Sequence, residues 1–539
     1  MRPEQNSPRL LSELVGVLGP DTVVTAVGGL VVPFAADNES LPLATASTAS
    51  TESTAQPSVA EVAVTGVTHD SREVRPGDLY VALPGSRVHG ADYCAQAVAA
   101  GASAVLCDPT GYDRAAATHV PVLTVADPRA RLGEIAAWAY GEPSQELLLI
   151  GTTGTSGKTT TSYLIESGLH AAGLRTGLLG TVETRVCGQR LASNLTTPEA
   201  TDLHAVLALM REQRVNAAAM EVSSHALALG RVNGVAYDVA IFTNLSQDHL
   251  DFHADLREYF ETKAQLFRPE FTRVGVVNID DRFGRALLDI VAERIALTTF
   301  SVEGNPAADW QATDIELGSH GSTFEVRGPG GIEASGAVGL PGPFNVANAM
   351  AAIVGLVEAG IPLDTALVGV AESIGVPGRM EKVDEGQDFT ALVDYSHKPG
   401  AIEAVLTSLR AVTSARVGIV LGCGGDRDRE KRPLMGEAAA RLADTVVLTN
   451  DNPRSEDPLG ILAAMLDGVR KVPQDQRARI TVEPDRAEAI EMAVRRAQPN
   501  DVLVIAGKGH ERGQYVAYEV LPFDDRETLA AALRSRPHR

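Results

Sequence analysis

The residues with the plainest chemistry lie in Gly151–Thr160, GTTGTSGKTT, where glycines at 151, 154 and 157 precede Lys158, Thr159 and Thr160. Such glycines let successive backbone N–H groups turn inward as an anion nest. A lysine at this spacing reaches the outer phosphates of a nucleoside triphosphate, and the hydroxyl after it suits Mg²⁺. Thr152 stands where the G-x-x-x-x-G-K-[ST] pattern has its first glycine, yet the flanks fit. Apolar Leu147–Ile150 precedes the loop and an amphipathic stretch from Thr159 to Ala172 follows it, giving strand, loop and helix in the expected order.

Further groups gather at predicted strand ends. Glu221 closes the run Val215–Met220, at the carboxyl edge of a parallel sheet where ligands collect, and a carboxylate there suits Mg²⁺. The next strand delivers TNLSQDHLDFH, with Asn244, Asp248, His249, Asp251 and His253 within ten residues. Later, DYSHKPG (Asp394–Gly400), GCGGDRDREKRP (Gly422–Pro433), Asp451-Asn452-Pro453-Arg454 and GKGHE (Gly507–Glu511) each end a strand. If Arg427, Arg454 and Glu511 converge, two guanidinium forks meet a carboxylate and an anion meets an ammonium, which describes a zwitterionic amino acid. The bland alternative is a set of surface ion pairs. Cys423 reads as a small loop thiol, and Lys263 in EYFETKAQLF as a solvated lysine on an amphipathic helix.

The elements that must position these groups follow from length and pattern. At roughly 100–200 residues per domain, 539 residues predict about three or four domains, and 44% hydrophobic residues suffice for several cores. The alternation predicts an α/β chain of three domains. Residues 1–147 form a small α/β domain with strands at Leu79–Leu83, Ala104–Leu106 and Val120–Thr124. Residues 148–377 form a central P-loop domain with a mostly parallel sheet, including Val239–Thr243 and Val274–Asn278. Residues 378–539 form a doubly wound, Rossmann-like domain, with strands Ala391–Val393, Val417–Leu421, Thr445–Leu448, Arg479–Val482 and Val502–Ile505. The Ser-, Thr- and Ala-rich stretch Ala35–Ser58 has little to bury and is expected to be flexible.

A net charge of 47 − 69 = −22 argues against a broad nucleic-acid-binding surface. Cys94, Cys107, Cys187 and Cys423 show neither zinc spacing nor a disulfide pattern. No apolar stretch is long enough for a membrane span, and Leu10–Leu18 is broken by Glu13 without a basic leader, so a cytoplasmic protein is expected.

The segments DSREVRPGDLYVAL, GTSGKTTT, TTPE, EVSSHAL, TNLSQDHLDFH, YFETKAQLF, PFNVANAMAA, PGRME, DYSHKP, GGDRD, DNPR and GKGHE occur in this order. Together, from Thr65 to Glu511, the chain closely resembles the Mur ligases of peptidoglycan synthesis. The resemblance implies an ATP-dependent, ADP-forming ligase that adds an amino acid to UDP-N-acetylmuramoyl-L-alanyl-D-glutamate. It implies uridine contacts at Ser71 and at Ser86, Arg87 and Val88, and nucleotide contacts at Gly154, Thr155, Ser156, Gly157, Lys158, Thr159 and Thr160. Mg²⁺ falls to Thr159, Glu221, His249 and Lys263, the last as a carbamate formed with CO₂. Lys158, Lys263 and His249 are the implied catalytic groups.

Sugar and peptide contacts fall on Thr196, Thr197, Ser223 and Arg231, although Leu229 stands where diaminopimelate-adding relatives can carry Gln. Arg379 and Asp394 match groups that close onto the nucleotide. The amino-acid pocket maps onto Arg427, Asp451, Asn452, Pro453, Arg454, Gly507 and Glu511, and the Asp-Asn-Pro-Arg run resembles that of meso-diaminopimelate enzymes. A lysine-adding or folylpolyglutamate-type ligase and a nucleotide-dependent switch are the alternatives. The switch leaves Glu221, His249, Arg427 and Arg454 without a purpose.

Overall fold

The computed structural model describes residues 2–19, 22–25, 31–33, 61–191, 195–250, 252–291, 294–318 and 321–536. The expectation for Ala35–Ser58 and the candidate Asp251 lie outside these described residues. Among them, no helix is long and apolar enough to cross a membrane.

In the first domain, strands Gly66–Thr68, Asp78–Ala82, Ala104–Cys107 and Val122–Thr124 lie parallel, extended by the antiparallel Val23–Thr25 and Val31–Pro33. Asp127 caps the helix Pro128–Tyr140 by accepting from the N–H groups of Arg129 and Ala130. The apolar run near the N-terminus is a helix, Leu11–Leu18, whose Leu11, Leu14, Val15 and Leu18 are buried at helical spacing with Leu132 and Ile135. Ahead of it, Arg2 pairs with Asp78, and the N–H groups of Glu4 and Gln5 donate to Glu212 of the central domain. The N-terminal segment thereby ties the first two domains together.

The central sheet has eleven strands among the described residues. Its middle is parallel: Thr176–Leu179, Ala217–Glu221, Leu148–Thr153, Tyr237–Phe242, Thr272–Asn278, Ala296–Ser301. These strands are largely buried because helices such as Lys158–Ala171 and Pro343–Glu358 cover them. The expected mostly parallel sheet is found, and it carries antiparallel wings beyond it: Thr184–Val186 with Gln189–Leu191 at one edge, and Trp310–Gly318, Gly321–Gly328 and Ile332–Val338 at the other. Gly321–Gly328 shows why, alternating buried Ser322, Phe324 and Val326 with more exposed neighbours, the pattern of a one-sided antiparallel strand.

The third domain orders its strands Glu381–Lys382, Thr390–Asp394, Val502–Ala506, Val417–Leu421, Thr445–Leu448, Arg479–Val482, all parallel except the first. The chain winds outward from Val417–Leu421 and returns to insert Val502–Ala506 beside it, so the loops of four neighbouring strands open on one crevice. A hairpin, Gly513–Val516 with Glu519–Pro522, and a helix, Asp525–Ser535, follow.

Candidate active site

Backbone geometry builds the loop after Leu148–Thr153. Thr152 is still in the strand and fully buried, so the turn starts only at Gly154, which accounts for the departure from the glycine pattern. Gly154 and Gly157 have φ of 149° and 88°; a Cβ on them would lie 1.9 Å from Thr243 Oγ1 and 2.3 Å from Asn348 Oδ1. Only glycine fits either position. Asn244 fixes the crest, accepting from Ser156 N–H at 3.0 Å and donating to Ser156 O at 3.1 Å.

Lys158 opens the helix Lys158–Ala171 and curls over the loop, its Nζ donating to the carbonyls of Gly154 (2.9 Å) and Thr155 (3.0 Å). Burial brings its pKa down to about 8, with Glu221 pulling the other way. Thr159 Oγ1 donates to Glu221 Oε2 at 3.0 Å; Thr181 adds bonds from its N–H (2.7 Å) and hydroxyl (3.0 Å). A hydroxyl beside one buried carboxylate at the mouth of a phosphate loop suits Mg²⁺, which takes few protein ligands and keeps waters and phosphate oxygens.

His249 has φ 53°, with its Nε2 3.1 Å from Asp248 Oδ2 and its ring edge-on to His225 at 4.8 Å. Burial pushes its pKa down to about 4 against the pull of Asp248, so it is neutral at pH 7 and able to ligate. His253 is withdrawn from the loop; its Nε2 meets Ser224 Oγ at 3.1 Å in the interior.

Lys263 overturns the reading of its spacing. Only 1% exposed, it donates to Gly154 O at 2.8 Å and lies 4.7 Å from the Tyr259 ring centroid. Burial, reinforced by Lys158, holds its pKa well below the usual lysine value. The missed signal was its register, four residues after Tyr259 and three after Phe260 on the helix's apolar face.

Beside Glu221, Thr197 Oγ1 donates to the Glu221 carbonyl (2.8 Å) and accepts from Ser223 N–H (3.2 Å), while Thr196 and Thr181 hydroxyls meet at 3.0 Å. Arg231 pairs with Glu199 at 2.9 Å. These four expected peptide contacts thus stand together. In the first domain Ser71 is buried, whereas Ser86, Arg87 and Val88 form an exposed loop.

The third domain closes against this site. Arg379 lies 4.5 Å from the Tyr395 ring centroid and approaches Thr159 Oγ1 at 3.5 Å. Asp394 works locally instead: its oxygens accept from the N–H groups of Met380 and Ser396, both at 2.8 Å, fixing the turn that carries Arg379. Lys398, which sequence reasoning missed, forms an ion pair with Asp248 across the domain boundary.

Across the crevice, Asn452 Nδ2 donates to Glu511 Oε2 at 2.9 Å, and Arg454 donates to Gly425 O at 2.7 Å. A Cβ on Gly424 would meet Arg454 at 3.0 Å and the Arg427 side chain at 4.0 Å, so both arginines flank this loop; Arg427 is exposed. Gly507, at φ 118°, leaves room for Asp451, whose carboxylate would lie 2.5 Å from a Cβ there. Pro453 is buried in the same loop. Two buried cations that sequence reasoning missed hold this assembly. Lys508 donates to Asn452 Oδ1 (2.9 Å) and Glu511 Oε2 (3.1 Å). Arg486 pairs with Asp525 at 2.7 Å and donates to the carbonyls of Ala506 and Asn450.

A phosphate-type loop joined across a domain boundary, through Arg379–Thr159 and Lys398–Asp248, to a domain whose strand ends carry ionic loops is the arrangement expected of an ATP-using ligase of acids and amines. Residues 152–356 match the Mur ligase middle domain, 378–509 the Mur ligase glutamate ligase domain, and 63–140 the Mur ligase family catalytic domain. The chain belongs to the Mur ligase family. It is 58% identical over 471 residues, 87% of its length and 92% of the relative's, to the UDP-N-acetylmuramoyl-L-alanyl-D-glutamate–2,6-diaminopimelate ligase of Streptomyces avermitilis. The protein of that name from Streptomyces coelicolor is 57% identical over the same shares. A solved structure of a UDP-N-acetylmuramoyl-L-alanyl-D-glutamate–2,6-diaminopimelate ligase superposes with a TM-score of 0.65 at 33% identity, covering 90% of this chain and 97% of that one.

Proposed function

We propose that the protein joins meso-2,6-diaminopimelate to the D-glutamate of UDP-N-acetylmuramoyl-L-alanyl-D-glutamate, cleaving ATP to ADP and phosphate, in the cytoplasmic stage of peptidoglycan precursor synthesis. The observation that carries this is Arg454, two residues beyond the Asn452 that donates to Glu511, with its guanidinium fixed on Gly425 O of the loop ending the neighbouring strand. Glu511 suits the substrate ammonium. Arg454 suits the second carboxylate that diaminopimelate has and lysine lacks.

A free carboxylate is a poor acyl donor, so the γ-carboxylate of D-glutamate first attacks the γ-phosphorus of ATP, forming an acyl-phosphate as ADP leaves. The Gly154–Thr160 N–H groups and Lys158 stabilise the charge spreading over the transferred group. The neutral amine of diaminopimelate then attacks the acyl carbon; phosphate departs, the amine loses its proton and the amide remains. Thr159, Glu221 and His249 would hold Mg²⁺, which when bound neutralises phosphate charge. Lys263 would join them as a carbamate: burial favours the neutral form of its amine, which bonds to the carbon of CO₂ and releases a proton, leaving an anionic oxygen donor where an ammonium would repel the metal.

Ser71 and the loop Ser86–Val88 take the uridine, and Thr196, Thr197, Ser223 and Arg231 the sugar and peptide. Arg379 closes onto the nucleotide about a hinge at Val376–Gly378, where Gly378 at φ 69° packs against the backbone of Gly509 and His510. Closure keeps water from the acyl-phosphate. The test uses dipeptide substrate with ¹⁸O in the glutamate γ-carboxylate: one ¹⁸O must appear in the released phosphate, and unlabelled phosphate would refute the acyl-phosphate route.

A further inference from the structure

The hairpin Gly513–Val516 with Glu519–Pro522 lies beyond the stretch matched by the third family model, which stops at residue 509. It is bonded along the whole Asp451–Arg454 loop. Gln514 Nε2 donates to the Asp451 carbonyl at 2.8 Å, and Tyr515 N–H to Asn452 Oδ1 at 3.0 Å. Arg454 N–H donates to the Tyr515 carbonyl at 2.9 Å, while Ala517 N–H donates to the Arg454 carbonyl at 2.7 Å. Arg454 is thus clasped on both sides of its backbone.

The clasp matters because Arg454 has φ 53°, a left-handed conformation that an arginine adopts only when its surroundings enforce it. Its guanidinium is aimed by a bond to Gly425 O on the neighbouring loop and by the Tyr515 ring, whose centroid lies 5.9 Å away. Without the hairpin, nothing among these contacts would hold the left-handed turn, and the guanidinium would lose its fixed origin. A cation selects a distant carboxylate only from a fixed position, since a mobile arginine pairs as readily with the α-carboxylate common to every amino acid.

We infer that this hairpin is a specificity element of the amino-acid site: Gln514 and Tyr515 are positioning residues that act through Arg454 to select a substrate with a second carboxylate. The inference rests on the reading of Arg454 as the group that meets that carboxylate.

The test compares Gln514→Leu/Tyr515→Ala, Arg454→Ala and the triple variant, with meso-diaminopimelate and L-lysine as amine donors at saturating ATP and dipeptide substrate. The expected result for the double variant is a KM for diaminopimelate raised about tenfold, with kcat and the KM for ATP held within about twofold. The KM for lysine should be unchanged, and Tyr515→Phe should behave as the unaltered protein. On the Arg454→Ala background the same two substitutions should add nothing, because the group they position is gone. Equal rises for both amines, or a full further loss on the Arg454→Ala background, would overturn the inference. If Arg454→Ala loses diaminopimelate preference while the hairpin variant keeps it, the inference alone fails. If Arg454→Ala keeps the preference, the reading of Arg454 fails and takes the inference with it.

Discussion

The two halves of the active site are built by opposite means. The triphosphate loop is one continuous stretch whose working groups are mostly backbone N–H, set by two glycines that no other residue could replace. The proposed amino-acid pocket is gathered from three loops of the third domain, its groups are side chains, and buried ions hold it: Arg486 with Asp525, and Lys508 with Glu511 and Asn452. Phosphate is common to every reaction of this type and can be met by a fixed backbone. The amino acid is what distinguishes one such ligase from another, and side chains on separate loops allow it to be changed.

That contrast predicts where substitutions harm chemistry and where they harm folding. Lys158→Ala should lower substrate-dependent phosphate release by at least about 10³-fold, with the unfolding midpoint nearly unchanged. An equally large loss of stability would erase the distinction. Arg486→Met should harm folding as well as the pocket, leaving Asp525 buried without its partner at a cost of about 3–5 kcal/mol in urea unfolding. The double change Arg486→Met/Asp525→Leu should recover much of that stability while the pocket, deprived of the bonds to Asn450 and Ala506, still binds amino acid poorly.

A third region adds acid sensitivity of its own to that of His249. His204 is fully buried in the helix Ala200–Glu212 with Nε2 3.0 Å from the Asn233 carbonyl, and burial lowers its pKa from 6.5 to about 4. The unfolded chain therefore binds the extra proton between pH 6.5 and 4. Its contribution is intact above about 6.5 and is lost as the pH falls toward 4, by up to about 3 kcal/mol. Urea unfolding of a His204→Gln variant should show a shallower fall over this range, and an identical slope would dismiss His204 as its source.

A smaller effect probes the triphosphate-loop half, where Lys263 donates to Gly154 O. Lys263→Ala should cut turnover about 100-fold, and a short carboxylic acid added to the assay should restore part of it by supplying the missing anionic oxygen. Full activity in the variant would remove Lys263 from the mechanism.

How much of this the sequence revealed follows the same division. The phosphate loop, Glu221 and the strands Val417–Leu421, Thr445–Leu448 and Arg479–Val482 were legible because each is local: a period, a glycine spacing or a run of β-branched residues. Lys398, Lys508 and Arg486 were not, since nothing in their neighbours says that a charged side chain will be buried against a group from another element, and Lys263 had only its register behind Tyr259 and Phe260 to mark it. The N-terminal helix was passed over because eight residues with one glutamate look weak until the first-domain helix Pro128–Tyr140 supplies the other half of its core. The strand Trp310–Gly318 escaped for a related reason, its pairing being interrupted by a register shift between Thr313 and Glu316.

The measurement that bears most directly on the central claim is phosphate release by the protein with ATP, Mg²⁺ and UDP-N-acetylmuramoyl-L-alanyl-D-glutamate, comparing meso-diaminopimelate with L-lysine and identifying the product by mass. The account predicts release and a tripeptide product with diaminopimelate, and far less of either with lysine at the same concentration. Preference for lysine would contradict the role given to Arg454, and release without any amine would contradict the coupled ligase itself.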